Sequence, residues 1–105
     1  MISRHWRGLA KAEHAATYVA HLRHDTFPQL AGMDGFVGAS ILQRADPRGV
    51  EFLIITRWQS AQAIRQFAGD DLEAAVVPTL VQSMMVEFDA RARHYDIVEQ
   101  AGASW

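Results

Sequence analysis

The chain has 105 residues, 12 acidic and 10 basic side chains, a formal charge of −2, and half of its residues apolar. That is one domain with enough apolar content for a core, which excludes a disordered chain. The scattered arginines form no basic patch of the kind that reads nucleic acid, and no apolar run approaches the ~20 residues of a membrane span.

Two absences exclude more. With no Cys in the chain, disulfides, thiolate nucleophiles, iron–sulfur clusters and Cys-based zinc sites are ruled out. No Asn occurs either, so any mechanism that needs an Asn donor is closed. The N-terminal Met1-Ile2-Ser3-Arg4-His5-Trp6-Arg7 lacks the apolar centre of a signal peptide, and a cytoplasmic location is expected.

Ile2 to Gly8 reads as a first strand, with Arg4 and Trp6 on one face and Ser3, His5 and Arg7 on the other. Lys11 to Asp25 reads as a helix whose apolar stripe carries Ala12, Ala15, Tyr18, Val19 and Leu22. Phe27-Pro28 is expected to end it, because a residue before proline avoids the helical region; Pro28 can open one further turn through Leu30. After a turn at Gly32-Met33-Asp34-Gly35, Phe36 to Arg44 forms a second strand with Val37, Ala39 and Ile41 on one face. Ala45-Asp46-Pro47-Arg48-Gly49 connects it, hairpin-like, to a third strand over Val50 to Trp58.

Ser60 is placed as the N-cap of a short helix with Ala63, Ile64 and Phe67 inward and Gly69 past its end. Asp70 and Glu73 have the spacing of a capping box and predict a second helix start. Another turn or two follows Pro78, Val86 to Val98 forms the last strand, and the chain closes in a Gly/Ala/Ser tail. The order is β-α-β-β-α-β. It predicts an α+β, ferredoxin-like domain over residues 1–98, a four-stranded antiparallel sheet with its helices on one face, and a tail at 99–105.

The third strand carries a further implication. Phe52, Ile54, Thr56 and Trp58 alternate with Leu53 and Ile55, so both faces are apolar mid-strand. One helical layer covers one face only. Leaving Leu53 and Ile55 bare forgoes roughly 1.5–3 kcal/mol each, so a homodimer packed through its sheet faces is expected.

Gly35-Phe36-Val37-Gly38-Ala39-Ser40, Arg57-Trp58-Gln59-Ser60-Ala61-Gln62-Ala63-Ile64, Phe67 and His94-Tyr95-Asp96-Ile97-Val98 together resemble the antibiotic biosynthesis monooxygenase domain, a family of dimeric α/β-barrel proteins. The resemblance spans Ile2 to Val98. It implies a homodimer with a pocket for a small aromatic or polycyclic molecule, and oxidation without a cofactor, in which the substrate supplies the electrons. The polyketide oxygenases of the family have a strand-end Trp, matched by Trp58, but their Asn falls on Ile54 and their Tyr on Ile64. The Asn, Trp and His of the haem-degrading members fall near Trp6, Phe67 and Val77. None of those three is kept, which argues against haem degradation by that route.

Several residues could carry chemistry. Trp58 at the strand–helix corner can pack an aromatic ring and donate its N–H to a substrate oxygen, or simply brace the core. His94 can take a phenolic proton near neutral pH, or act as a sheet histidine bonded to a neighbour. Under the resemblance Trp58 and His94 are the catalytic pair, with Trp6, Tyr18, Phe67 and Met84 as the substrate-binding wall.

His14, His21 and Asp25 share a helix stripe, but two turns separate the histidines, too far to share an ion. The stripe reads as the polar border of the apolar face, and no metal site is expected. Arg91 and Arg93 read as surface partners of nearby carboxylates. Gly35-Phe36-Val37-Gly38 faintly resembles an RNA-recognition strand but lacks the basic face and stacking aromatics. The expected activity is a cofactor-independent monooxygenase acting on a small aromatic molecule. The alternatives are a non-catalytic dimer that binds a hydrophobic metabolite, and an isomerase or cyclase on the same scaffold.

Overall fold

Strand β1 (Ile2–Ala10) and strand β3 (Gly49–Trp58) pair antiparallel over their whole length, from Ile2 opposite Trp58 to Ala10 opposite Val50. The description comes from a computed structural model and covers residues 1–102. Of the expected tail, residues 103–105 lie outside the described residues. Strand β2 (Phe36–Asp46) forms a hairpin with β3, its turn pinned by the Arg48 N–H donating to Asp46 Oδ1 at 2.9 Å. The far side of β1 is filled by two short strands rather than one. Strand β4 (Met85–Phe88) pairs with residues 8–10, and strand β5 (Arg93–Asp96) pairs with residues 2–5. The sheet order is therefore β2-β3-β1-β4, with β5 continuing the β4 position, as expected for the ferredoxin-like α+β fold.

The expected single last strand is interrupted for a traceable reason. Residues 90–92 turn their backbone bonds to residues 73–75: Ala92 N–H donates to Glu73 O at 2.8 Å and Ala75 N–H to Ala90 O at 3.0 Å. A second correction adjoins this pairing. Asp70 and Glu73 start no helix: residues 70–73 form a turn closed by the Ala74 N–H donating to Asp71 O at 3.0 Å, and Ala74 then bridges antiparallel to Arg91. Asp71 pairs instead with Arg91 at 2.9 Å.

The helical layer begins with a tight turn at Ala12–His14, which leaves Ala12 exposed. It runs on through α1 (Ala15–His21), a widened π turn at Leu22–Thr26, and α2 (Phe27–Ala31). The expected stop at Phe27-Pro28 does not occur. Phe27 keeps helical angles, φ −64° and ψ −38°, and its N–H reaches back to Leu22 O. Proline has no N–H and its ring strikes the carbonyl four residues back in a regular helix. The π turn widens that region, so Pro28 sits in the first turn of α2 without breaking the rod.

Helix α3 (Ala61–Ala68) follows the sequence reading closely: Ser60 Oγ accepts from the Ala63 N–H at 3.1 Å, and Gly69 takes φ +82° past the end. Helix α4 (Thr79–Met84) leads directly into β4. No described helix is long and apolar enough to cross a membrane.

Alternation sorts the sheet into two faces. Trp6, Phe52, Ile54, Thr56, Trp58 and Ile41 point to the helices. A bulge at Val37 breaks the expected parity of β2: Phe36 sits opposite Trp58 and Gly38 opposite Arg57, so Phe36 joins Ala39 and Ile41 on the core side and Val37 is left exposed. The outer face carries Leu42, Leu53, Ile55 and Tyr95 among His5, Arg7 and Arg57. There Leu42 and Tyr95 are 44% and 50% exposed, whereas Ile55 is buried within the single chain.

Candidate functional site

Between the inner sheet face and the helical layer lies a cavity of about 180 Å³. Its floor is Arg4 and Trp6 from β1 and Ile54 and Thr56 from β3; its roof is Tyr18, His21, Leu22, Asp25 and Phe27 from the helical run. Phe67 of α3 and Val76, Pro78 and Val81 close the remaining sides. The walls are mostly apolar with a few polar groups converging, the usual constitution of a small-molecule site.

Of the side chains expected as the wall, three are here. The Trp6 indole lies over Gly8, tilted against Phe88, and its N–H donates to Asp89 O at 2.8 Å. Tyr18 packs edge-on against Phe52 at 5.0 Å, and burial drives its phenol pKa well upward, so the hydroxyl stays protonated. Phe67 offers its ring from α3. Met84 is buried in the core cluster with Tyr18 and Phe52 and is not among the residues lining the cavity.

Trp58 does not line the cavity either. It has no exposed surface and lies between Phe36, edge-on at 5.3 Å, and Phe67, stacked at 6.2 Å. Its indole N–H is spent on Thr56 Oγ1 at 2.9 Å. The core-bracing alternative describes its position: it backs a cavity residue without touching the cavity.

His94 faces the helix side of the sheet, opposite Arg4 in the β1–β5 register. Its Nε2 accepts from Arg4 Nη1 at 2.8 Å, and its backbone N–H donates to Glu73 Oε2 at 3.1 Å. Burial and then the Arg4 charge hold its pKa below the ordinary imidazole value, with Glu73 opposing. The lone pair a base would use is occupied.

Two further side chains, Arg4 and His21, line the cavity without a motif in the sequence to mark them. Arg4 is 4% exposed and lines the cavity; its Nη2 donates to Ala74 O at 2.7 Å and Nη1 also reaches Leu72 O. Burial lowers its pKa, with Glu73 opposing. His21 and Asp25 lie one turn apart on the cavity side of the helix, Nδ1 3.8 Å from Oδ2, and Gln29 Nε2 donates to Asp25 Oδ1 at 3.1 Å. The described residues hold no cluster of three or more His, Asp or Glu that could share a metal ion.

A family model for antibiotic biosynthesis monooxygenases matches residues 1–76. The chain belongs to the antibiotic biosynthesis monooxygenase family. Solved structures agree on the fold. A candidate antibiotic biosynthesis monooxygenase from Bacillus cereus superimposes with a TM-score of 0.68 at 16% identity, covering 100% of this chain and 98% of that one. Another from Deinococcus radiodurans gives 0.65 at 18% identity and full coverage of both chains. An arginine-to-serine variant of MhuD, with two manganese protoporphyrin IX bound per active site, gives 0.70 at 13% identity, covering 98% of this chain and 100% of that one. At these identities the likeness is one of fold. No curated protein matches the chain.

Membership in the family gives the cavity a frame. Ile54, which stands where the resemblance puts the polyketide oxygenases' Asn, faces the cavity, as do Trp6 and Phe67, which stand where the haem-degrading members have Asn and Trp. Not all the carried-over positions do so: Ile64, at the oxygenases' Tyr position, is buried in the core, and Val77, at the haem-degrading members' His position, packs against the core without lining the cavity.

Proposed function

We propose that this family member is a homodimeric monooxygenase that oxidises a small aromatic phenol or enol in the helix–sheet cavity, the substrate itself supplying the electrons. The observation that carries the reading is the cavity: about 180 Å³, walled by Trp6, Tyr18, Phe27 and Phe67. An apolar cavity of about 150 Å³ takes benzene, so this one suits one or two rings.

The proton chemistry falls to His21. Its Nδ1 lies 3.8 Å from Asp25 Oδ2, within ion-pair distance but beyond a hydrogen bond, and Gln29 holds that carboxylate in turn. His94, expected as the base, instead positions Arg4, and Trp58 supports Phe67 from behind. On this reading His21 removes the phenolic proton in a pocket from which water is excluded, and the anion passes electrons to O₂. The ring carbon opposite the hydroxyl loses its hydrogen and becomes a carbonyl. One oxygen atom of O₂ becomes that carbonyl oxygen and the other leaves as water.

An oxygen electrode with 1,5-dihydroxynaphthalene tests the reading. The expected product carries one more oxygen and two fewer hydrogens than the substrate, with one O₂ consumed for each quinone. His21→Gln should slow turnover by about 100-fold or more, while equal rates would remove His21 from the chemistry. The isoleucine at position 54 favours a second reading, a dimer that binds an aromatic metabolite without turnover. Tight binding with no oxygen uptake would decide for it, and an unchanged or dehydrated product would indicate an isomerase or cyclase.

A further inference from the structure

Resting on the reading of this cavity as an aromatic site, we infer that Arg4 makes it a receptor for aromatic anions, molecules bearing a carboxylate or an ionised ring oxygen. A buried charge requires compensation. The other arginines with described ion pairs, such as Arg7, Arg44, Arg48 and Arg91, meet a carboxylate near the surface. Arg4 is 4% exposed, and the groups it donates to are all neutral: Leu72 O, Ala74 O and His94 Nε2. Among the described residues no carboxylate lies within ion-pair distance of it. Glu73 acts from further away, with one oxygen occupied by the His94 N–H.

His94 cannot add a proton at Nε2 without setting N–H against N–H, so the pair keeps one positive charge. Two backbone carbonyls and His94 occupy three of the guanidinium's donors, both on Nη1 and one on Nη2. Of its five N–H groups, Nε–H and one on Nη2 are left for a ligand. Phe67 lies under the same guanidinium, 5.6 Å from Cζ to the ring centroid. A planar arene on the Phe67 side could therefore offer its anionic oxygens to a fixed fork, a pairing stronger than a neutral hydrogen bond.

The test compares 2-naphthoate with its neutral isostere 2-naphthamide by titration calorimetry. The titration is run at about pH 8, where both the acid and the Arg4 guanidinium are ionised. The wild type should prefer the acid by about tenfold or more. Arg4→Met should lose that preference while holding the amide within about threefold of wild type. Should that variant not fold, Arg4→Lys keeps the charge without the fork and should reduce the preference by at least about threefold. Equal wild-type affinities, or an unchanged preference in the substituted protein, would overturn the anion assignment and leave the aromatic pocket standing. Binding of neither arene would overturn the pocket and this inference with it.

Discussion

Arg4 and His94 form one unit, and its protonation has a direction. The pKa of His94 is held below 6.5 by burial and by Arg4, and that of His5 by burial. Above that value both are neutral whether the chain is folded or not, and the stability they contribute is complete. As the pH falls through it, the unfolded chain takes protons that the folded one refuses, so stability declines. Urea unfolding should therefore show a lower midpoint at about pH 5.5 than at pH 7.5. His94→Gln, which can still offer Arg4 an acceptor, should narrow the gap; an unchanged gap would clear His94 of the effect. Residue by residue, legibility in the sequence was uneven. Trp6, Tyr18 and Phe67 were readable because alternation and helical period alone put them on inward faces. Arg4 shares the face of Trp6, and an inward arginine on a strand is rare unless partnered. The spacing of His21 from His14 argues against a shared ion but does not reveal Asp25, one turn away, as the neighbour that matters.

At the scale of elements, the junction of β3 and α3 is held by a ring sandwich. Trp58 lies between Phe36 and Phe67, wholly buried, while Ser60 caps the helix that follows. Trp58→Ala should cost about 3–5 kcal/mol in urea unfolding. A cost below about 1 kcal/mol would mean that the corner repacks freely. This junction was legible because its signals are local: strand alternation, an N-cap serine and a glycine stop. The features that were not legible answer to distant partners. The π turn reconciles Pro28 with a helix that tertiary packing continues, and the Val37 bulge exchanges Val37 for Phe36 on the core side. The Asp70–Glu73 capping pattern yields to a turn that leads into the pairing of residues 73–75 with 90–92, which splits the last strand.

For the whole molecule, the proposed dimer rests on the outer sheet face. Leu42 and Tyr95 are about half exposed there, with Leu53 partly covered. The bareness expected from the sequence is only partial, since Ile55 is already enclosed between strands that carry Ser40 and His5. Light scattering at micromolar concentration should give the mass of two 11.7 kDa chains, and Leu42→Glu should give one. A single-chain mass for the wild type would remove the dimer. The fold class was legible because element order fixes so few topologies, whereas the cavity's charge depends on residues far apart in sequence. Arg4 takes its acceptors from residues 72, 74 and 94, and β1 meets β5 over residues 2–5. Strand β5 is four residues long and mostly exposed, the sort of segment that frays first in native fluctuations. An opening of β5 alone would take His94 away from the Arg4 guanidinium while leaving Leu72 O and Ala74 O in place, so amide exchange in β5 should run ahead of that in β1 and β3 and should slow when an arene anion is bound.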